Sequence, residues 1–399
     1  MNIPVQNCSS CGACSNVCAR NAISMQLDGE GFYRPVVDAK KCLQCGSCEK
    51  VCPWTNAVEN PSVLSAGLPK TIAAFAKKES VRLESSSGGI FTVLAEKILD
   101  DGGVVVGVSQ LSPTMFGHVV INNKVGLAKL RGSKYVQADA GLVYREVLSL
   151  LKSGKKVLFS GTPCQVAALY AVLGKNVYAG LITVDVVCHG TPSVKVFEKY
   201  VTEIEKENSA QVQSSQFRDK REGWRLYSMT SSLNTISGDC FQVSKTLHKD
   251  KFMRVFLQNI CLNSSCADCK YGKLPRVADI TLGDYWNIAS VHPEMDDNKG
   301  ISVVLLNTDN GNVLFDSVAE SVIQCESKVE YAVAGNPCIV RSSKPHIRRS
   351  EFFANLDKYT LDELIKKYCP YPSPMKKMYF NLRGILGRIK RKMFYKNSI

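Results

Sequence analysis

Eight of the seventeen cysteines lie in the first 52 residues, where one spacing occurs twice. The two copies are Cys8, Cys11, Cys14 and Cys18, then Cys42, Cys45, Cys48 and Cys52. This doubled spacing is typical of domains that bind two [4Fe-4S] clusters, in which the fourth cysteine of each copy ligates the other cluster. We therefore assign Cys8, Cys11, Cys14 and Cys52 to one cluster, and Cys42, Cys45, Cys48 and Cys18 to its neighbour.

Structural zinc is the alternative for these cysteines, because Cys-x2-Cys pairs also form zinc sites. Such sites use two pairs separated by a long spacer, whereas each copy here is a run of four. The spacing therefore favours iron-sulfur clusters. Ala19 follows Cys18 where the pattern usually has proline, which affects the rigidity of that turn and not the thiolate.

Four later cysteines could form a third set. Cys164 and Cys188 each follow a predicted strand, and Cys266 and Cys269 form a Cys-x2-Cys pair. Four thiolates are the number that one [4Fe-4S] cluster requires. The alternative is that they are small buried hydrophobic residues, a common role of free cysteine. We assign the remaining five to packing: Cys240, Cys261, Cys325, Cys338 and Cys369.

Two polar loops could hold a phosphate-bearing cofactor such as a flavin dinucleotide. The first, Ser85 to Gly89, precedes an amphipathic helix, so hydroxyls, glycine backbone and helix N–H groups could surround a phosphate. The second, Arg131 to Tyr135, supplies cationic, hydroxyl and aromatic groups in a turn that contains glycine. A helix cap and an exposed basic loop are the respective alternatives.

Two side chains are candidates for acid–base catalysis. His189 lies beside Cys188 and could donate a proton, and Lys220 lies in a charged, turn-like segment from Arg218 to Trp224. A lone histidine is more often structural, and most charge runs are solvated.

The elements that must position these residues alternate between strand and helix patterns from Thr71 onward, which indicates an α/β body. If the strands before Cys164 and Cys188 are parallel, both thiols lie at one edge of the sheet, where α/β proteins bind ligands. The fold class we predict is an α/β (α+β) body with a mixed sheet, preceded by a small two-cluster domain. Predicted strands are 71–76, 104–108, 156–160, 178–187, 224–232 and 301–307, and predicted helices are 89–99, 142–151 and 249–260.

Composition and hydropathy limit the kinds of protein that this chain can be. A hydrophobic content of 45% in 399 residues supports a sizeable core. Many cysteines without a leader sequence favour a reducing cytoplasm, and no apolar run approaches the roughly 18 residues that cross a bilayer.

The net charge of +14 would suit nucleic acid if it were spread over one face. Instead, eight positive charges lie between Met375 and Ile399, with no acidic residue. We therefore expect no nucleic-acid partner. This tail spaces its apolar residues at helical intervals, which predicts a peripheral helix on the anionic inner face of a membrane; packing on the body or on a partner subunit is the alternative.

Several motifs together resemble the coenzyme F420 hydrogenase/dehydrogenase beta subunit family, fused to an N-terminal two-cluster ferredoxin domain. The similarity extends from Thr71 to about Asn310. The motifs are Ser87-Gly88-Gly89, Gly132-Ser133-Lys134-Tyr135, Gly161-Thr162-Pro163-Cys164-Gln165, Cys188-His189-Gly190, Phe217-Arg218 with Gly223-Trp224, Ser265-Cys266 with Cys269-Lys270, Asp279-Ile280-Thr281-Leu282-Gly283-Asp284, and Asp296-Asp297 with Lys299-Gly300.

The resemblance implies FAD and a third [4Fe-4S] cluster in the body, held by Cys164, Cys188, Cys266 and Cys269. Ala267-Asp268 stands where the family often has tyrosine, which removes no ligand. The flavin contacts that we expect are Ser86, Ser87, Gly88, Gly89, Gly132, Ser133, Lys134, Tyr135 and Thr162. The expected organisation is a ferredoxin-type domain (1–58), a linker (59–70), the flavin- and cluster-binding body (71–374) and the basic tail (375–399).

These expectations describe an iron-sulfur flavoprotein oxidoreductase. FAD would exchange a hydride with a small donor or acceptor, and the clusters would exchange single electrons with a ferredoxin or a redox partner subunit. One alternative is a non-catalytic electron-transfer subunit of a larger redox complex, which could serve polysaccharide biosynthesis. Another is a cofactor-poor scaffold whose cysteines bind zinc.

Overall fold

A computed structural model describes residues 7–371, apart from 57, 59, 61, 62, 64–66, 175 and 177. In its N-terminal part, strands β1 (Ile23–Leu27) and β2 (Tyr33–Val37) pair antiparallel. Short helices α1 (Ala13–Val17) and α2 (Ser47–Lys50) each follow a glycine in the left-handed region, Gly12 at φ 78° and Gly46 at φ 71°. The duplicated cysteine spacing thus corresponds to a duplicated backbone turn.

The body contains the remaining described strands. They are β3 (Lys70–Ala76), β4 (Val104–Gln110), β5 (Phe116–Ile121), β6 (Val157–Gly161), β7 (Leu181–Val186), β8 (Ala210–Asp219), β9 (Ser228–Thr235), β10 (Cys240–Thr246), β11 (Ile280–Asp284), β12 (Ser302–Leu306) and β13 (Val322–Ser327). Eight of them form a mixed sheet in the order β13-β3-β12-β11-β7-β6-β4-β5, and β8, β9 and β10 form a separate antiparallel sheet.

The centre of the large sheet is parallel, because β4, β6, β7 and β11 all run in one direction. Their C-terminal ends therefore meet at one edge, which confirms the predicted parallel arrangement of β6 and β7. The fold class is as predicted: an α/β body with a mixed sheet, preceded by a small N-terminal region.

Helices cover both faces of the large sheet and fill its crossovers. They are α3 (Glu79–Leu83), α4 (Ile90–Asp100), α5 (Lys124–Leu130), α6 (Val143–Lys152), α7 (Pro163–Leu173), α8 (Val194–Asn208), α9 (Lys251–Leu257), α10 (Ile288–Val291), α11 (Asp309–Asp316), α12 (Val329–Gly335), α13 (Arg349–Ala354) and α14 (Leu361–Tyr368). One core lies between the sheet and α4 with α11, and another between the sheet and α6 with α7.

The N-terminal region packs directly on the body. Cys11 and Ala13 belong to the same buried cluster as Tyr144 of α6 and Val166 of α7. Tyr144 also donates a hydrogen bond of 2.7 Å from its hydroxyl to the carbonyl of Cys11. The cysteine loops are therefore fixed against the sheet by burial and by hydrogen bonds.

One predicted strand starts later than expected. The prediction for 224–232 placed Trp224 in a strand, but β9 begins at Ser228. Gly223 has φ 92°, which turns the chain, and the Trp224 side chain is fully buried with its indole N–H on Asp284. Tertiary contacts at this turn therefore outweigh the local strand pattern.

The expected tail helix at 375–399 lies outside the described residues, as does much of the expected linker. Within the part that is described, no helix combines the length and apolar character needed to cross a bilayer.

Candidate functional site

The structure brings together the four cysteines expected to bind the first cluster. Burial raises the pKa of Cys11 to about 12, with a further contribution from neighbouring Cys8. Burial also raises the pKa of Cys14, and Cys11, Cys8 and Cys52 add to the increase. Cys52 comes from the second copy of the motif, so the fold brings one cysteine of that copy close to three of the first copy. We name Cys8, Cys11, Cys14 and Cys52 the inner set.

The other four cysteines lie farther from the body. Cys18 packs against Cys48 and Ile23 in a small buried cluster. Cys45 is exposed and Cys42 is half-buried. This second group, the outer set of Cys18, Cys42, Cys45 and Cys48, thus places a thiol at the protein surface.

Equivalent backbone amides donate to sulfur in the two copies. Ser10 and Gln44 have positive φ values of 58° and 52°, and each donates its N–H over 3.3 Å to the sulfur of Cys8 and Cys42, respectively. Hydrogen bonds to sulfur are among the factors that set the potential of an iron-sulfur cluster. The two copies therefore match in geometry as well as in spacing.

The four body cysteines also converge, although they are up to 105 residues apart in the chain. Cys164 is the second residue of α7, whose first turn is closed by a capping box between Thr162 and Gln165, and Cys188 follows β7. Cys266 lies in the 3₁₀ helix Ser264–Asp268, with Cys269 directly after it. Burial raises the pKa of Cys164, and Cys269, Cys188 and Cys266 add to the increase. We name these four the body set.

In none of the three sets do three thiols lie as close together as a single zinc ion would hold them. Four thiolates around zinc would lie about 3.8 Å apart, given Zn–S bonds of about 2.3 Å. Among the described residues, however, the donor group with all atoms within 4.8 Å is His292, Glu294 and Cys325, and it includes none of the twelve predicted ligands.

The inner and body sets are adjacent. Cys164 contributes to the raised pKa of Cys11, and both sulfurs act on the buried hydroxyl of Tyr144. Hydrogen bonds also join the segment around Cys266 and Cys269 to the cysteine loops. The Tyr271 hydroxyl donates a hydrogen bond of 2.9 Å to the carbonyl of Pro53, and the Asn263 amide donates one of 3.3 Å to the carbonyl of Cys8. From the protein surface inward, the order is therefore the outer set, the inner set and the body set.

A cavity of about 390 Å³ lies at the C-terminal edge of the parallel strands, next to the body set. Cys164 and Cys188 form part of its wall. Eight of the predicted flavin contacts line it: Ser86, Ser87, Gly89, Gly132, Ser133, Lys134, Tyr135 and Thr162. Its size falls within the range of small-molecule sites.

Gly88 and Lys220 do not line this cavity, although we expected both at the site. A Cβ on Gly88 would lie 2.4 Å from the carbonyl oxygen of Ala74, so this glycine allows the loop to approach the sheet. The ammonium group of Lys220 donates to the carbonyls of Arg82, Ser87 and Lys299 at 2.8, 2.6 and 2.7 Å. Lys220 therefore supports the loop from behind.

The two predicted phosphate loops are held together. The Ser86 hydroxyl accepts a hydrogen bond of 2.7 Å from the backbone N–H of Ser133. Behind them, buried Arg82 donates 2.8 Å to the carbonyl of Gly300 and forms a bidentate ion pair with Asp297 at 2.7 and 2.6 Å. The segment from Asp296 to Gly300, one of the motifs of the family resemblance, thus anchors the first loop.

Arg218 connects three walls of the cavity. Its buried guanidinium pairs with Asp284 at 2.8 and 3.1 Å, and donates 3.1 Å to the Tyr135 hydroxyl and 3.0 Å to the carbonyl of Ser86. The Asp284 carboxylate also accepts 2.8 Å from the Trp224 indole. The Arg218 side chain therefore holds strand β8, the end of β11 and both loops together.

His189 lines the cavity, as expected from its position beside Cys188. Its Nε2 lies 2.6 Å from the Asn259 side-chain oxygen, and burial lowers its pKa. Cys338, which we had assigned to packing, also lines the cavity, with its sulfur 4.0 Å from Nδ1 of His189. No local spacing distinguished Cys338, because its partner lies 149 residues away.

Of the other four cysteines that we assigned to packing, two are buried in a core and two are not. Cys261 and Cys369 are buried in one core cluster, as expected. Cys240 is exposed, and half-buried Cys325 faces His292. Cys240 and Cys325 are therefore not buried in a core, contrary to the packing assignment. The reason is that β10 is an edge strand of the small sheet and β13 is an edge strand of the large one.

Comparisons with known proteins cover most of the chain. Residues 71–143 and 154–331 match the models described as coenzyme F420 hydrogenase/dehydrogenase beta subunit, N-term and C terminus. Residues 7–56 match the 4Fe-4S dicluster domain. A chain of the F420-reducing [NiFe] hydrogenase complex from Methanosarcina barkeri is similar, with 17% identity over 78% of this chain and 94% of that one, at a TM-score of 0.45. No curated protein matches the chain.

Proposed function

We propose a redox function at a flavin for this chain, which belongs to the coenzyme F420 hydrogenase/dehydrogenase beta subunit family and carries an N-terminal 4Fe-4S dicluster domain. In this proposal FAD occupies the cavity, a third [4Fe-4S] cluster occupies the body set, and electrons pass between them and the dicluster domain. The observation that carries it is the adjacency of the cavity, Cys164 and Cys11.

The order of the cysteine sets supports a path for single electrons. Cys164 lies in the cavity wall and is close enough to Cys11 of the inner set to raise the pKa of Cys11, and Cys45 of the outer set is exposed. In such a fold the fourth ligand of each cluster comes from the other motif, which keeps the two cubes close. The exposed end is where a ferredoxin or a partner subunit would exchange electrons.

The cavity provides the groups that a flavin dinucleotide needs. Ser86 and Ser133 offer hydroxyl groups, and the N-terminal end of the 11-residue helix α4 opens toward the same space after Gly89. Helix N-termini favour phosphate because unpaired N–H groups point outward. Lys134 adds a cationic group whose pKa burial lowers to about 7.

When bound, FAD would supply exchange of a hydride with a small molecule and of single electrons with the clusters. The protein groups around it hold and shape the site. Arg218 fixes the loops through Ser86 and Tyr135, while Asn259 orients the imidazole of His189. His189 would hold a proton for the small molecule at the cavity wall beside Cys188, and Lys220 would support the loop.

Iron, sulfide and flavin analysis after anaerobic purification tests the proposal. Three clusters and one flavin give about twelve irons and one FAD per chain. The Cys164→Ser variant should retain about eight irons, because only the body cluster loses a ligand. Cys240→Ser, which alters an exposed cysteine outside the three sets, is the matched control and should retain about twelve. About eight irons in the unaltered protein would refute the body cluster, and absence of flavin would refute the cavity assignment.

Donor specificity is tested separately. We expect the holoprotein to reduce an artificial one-electron acceptor when a small hydride donor is added, with the reduced deazaflavin F420 and reduced nicotinamides as the donors to compare. Reduction of the acceptor by a reduced partner protein alone, with every small donor inactive, would instead indicate an electron-transfer subunit without its own substrate.

A further inference from the structure

Three metal-binding side chains converge at the edge of the large sheet, outside the cavity. Nδ1 of His292 lies 3.4 Å from the sulfur of Cys325 and 3.6 Å from a carboxylate oxygen of Glu294, and all three donor atoms lie within 4.8 Å of one another. We propose that His292, Glu294 and Cys325 bind a zinc ion, with water in the fourth position. The site is independent of the flavin and of the iron-sulfur sets.

The distances between donors match a tetrahedral zinc site. Bonds of about 2.3 Å to sulfur and about 2.0–2.2 Å to nitrogen or oxygen place donor atoms about 3.3–3.6 Å apart. The two separations measured from His292 agree with these values. The thiols of the inner, outer and body sets do not form such a group.

A hydrogen-bond chain fixes the imidazole that would bind the ion. Nε2 of His292 lies 3.0 Å from the Ser327 hydroxyl, which in turn lies 2.6 Å from the Tyr285 hydroxyl. Zinc-binding histidines usually have their second nitrogen engaged in this way, which sets the tautomer and directs the other nitrogen to the metal. In this structure Nδ1 is the nitrogen that faces Cys325 and Glu294.

The charges of the three groups favour a divalent cation. Cysteine and glutamate bind a metal as anions, and histidine binds it as the neutral imidazole, so Cys325 and Glu294 would supply two negative charges. On binding, the thiol of Cys325 would lose its proton to solvent, and the ion would then neutralise both anionic groups. A mixed set of thiolate, imidazole and carboxylate suits zinc better than magnesium or calcium, which prefer oxygen alone.

The proposed ion would join parts of the chain that are distant in sequence. Cys325 lies in the edge strand β13, whereas His292 and Glu294 follow β11 and α10. The segment between β11 and His292 includes Trp286, which lines the cavity. Zinc would therefore hold the edge strand against the segment that forms one wall of the cavity.

Zinc analysis of the anaerobically purified full chain tests this site. After treatment with a chelating resin, we expect about one zinc per chain. X-ray absorption at the zinc edge should show one sulfur at about 2.3 Å and three nitrogen or oxygen atoms at about 2.0–2.2 Å. The zinc edge is distinct from the iron edge, so the clusters do not interfere. A shell of three or four sulfurs would overturn the proposal, since zinc would then occupy a cysteine set.

Variants separate this site from unspecific binding. Cys325→Ser and His292→Ala should each lose the zinc while iron content stays unchanged, and Cys240→Ser is the control that should retain it. Ser327→Ala should still fold and bind, with an affinity weakened about 10–100-fold in competition with a chromophoric chelator. Zinc retained in Cys325→Ser, or no zinc in the unaltered chain after incubation with one equivalent of Zn²⁺, would overturn the proposal.

Discussion

Replacing Arg218 by methionine should destabilise the protein far more than the same change at Arg225. Both arginines form bidentate pairs with an aspartate: Arg218 with Asp284 at 2.8 and 3.1 Å, and Arg225 with Asp296 at 3.0 and 2.9 Å. The pairs differ in burial, since the Arg218 side chain is 2% exposed and that of Arg225 is 37% exposed. The comparison therefore sets a buried arginine, with its further contacts, against a partly exposed one that has the same kind of aspartate pair.

The expected magnitudes follow from this difference. Without Arg218, the largely buried Asp284 carboxylate loses its cationic partner and keeps the Trp224 indole as a hydrogen-bond donor. Leaving a buried charge unpaired in this way should lower the free energy of unfolding by about 3–5 kcal/mol. The substitution also removes the cation–π contact of Arg218 with Tyr227, whose ring centre is 4.1 Å from the guanidinium carbon. Removing Arg225 breaks a solvent-screened pair that contributes about 0–1 kcal/mol.

Anaerobic urea unfolding followed by tryptophan fluorescence measures both effects. Trp224 and Trp286, two of the three tryptophans in the chain, stack at 4.8 Å beside Asp284, so the signal reports on this wall. With a slope of about 3 kcal/mol per molar urea, Arg218→Met should lower the midpoint by roughly 1–2 M, and Arg225→Met by less than roughly 0.3 M. Equal shifts in the two variants at an unchanged slope would refute the argument from burial.

Two further predictions concern other parts of the molecule. Tyr144→Phe should lower the free energy of unfolding by about 1–3 kcal/mol, because the buried carbonyl of Cys11 loses its 2.7 Å hydrogen bond; an unchanged urea midpoint would contradict this. Burial raises the pKa of Asp250 from 3.8 to about 6, so between these values the folded state binds more protons than the unfolded state. Stability should therefore fall as pH rises toward 6, by at most about 1.4 kcal/mol per pH unit, and then level off. Asp250→Asn should abolish this dependence. The measurement is the urea midpoint of the variant and of the parent at several pH values from 5 to 7. If the two midpoints change with pH in the same way, the prediction is wrong.

The sequence determined those features that depend on short spacings. Ligands within one cysteine motif are two or three residues apart, so chain geometry alone limits what they can bind, and the match to a dicluster domain agrees with this prediction. Strands β3, β4, β6 and β12 were also predictable, because their buried residues form short apolar runs between turns. The parallel order of β6 and β7 followed from the helix between them.

Only the tertiary structure decided how distant segments meet. Cys164 lies beside Cys11 because the N-terminal region packs on α6 and α7, and no spacing in the chain predicts that contact. Arg218 reaches Asp284 from a separate sheet, and Lys220 turns toward backbone carbonyls although it lies two residues away. His292 and Cys325 meet because β13 pairs with β3 at the sheet edge. Such contacts depend on sheet order and on burial of the whole chain, whereas a local pattern specifies only the element in which a residue lies.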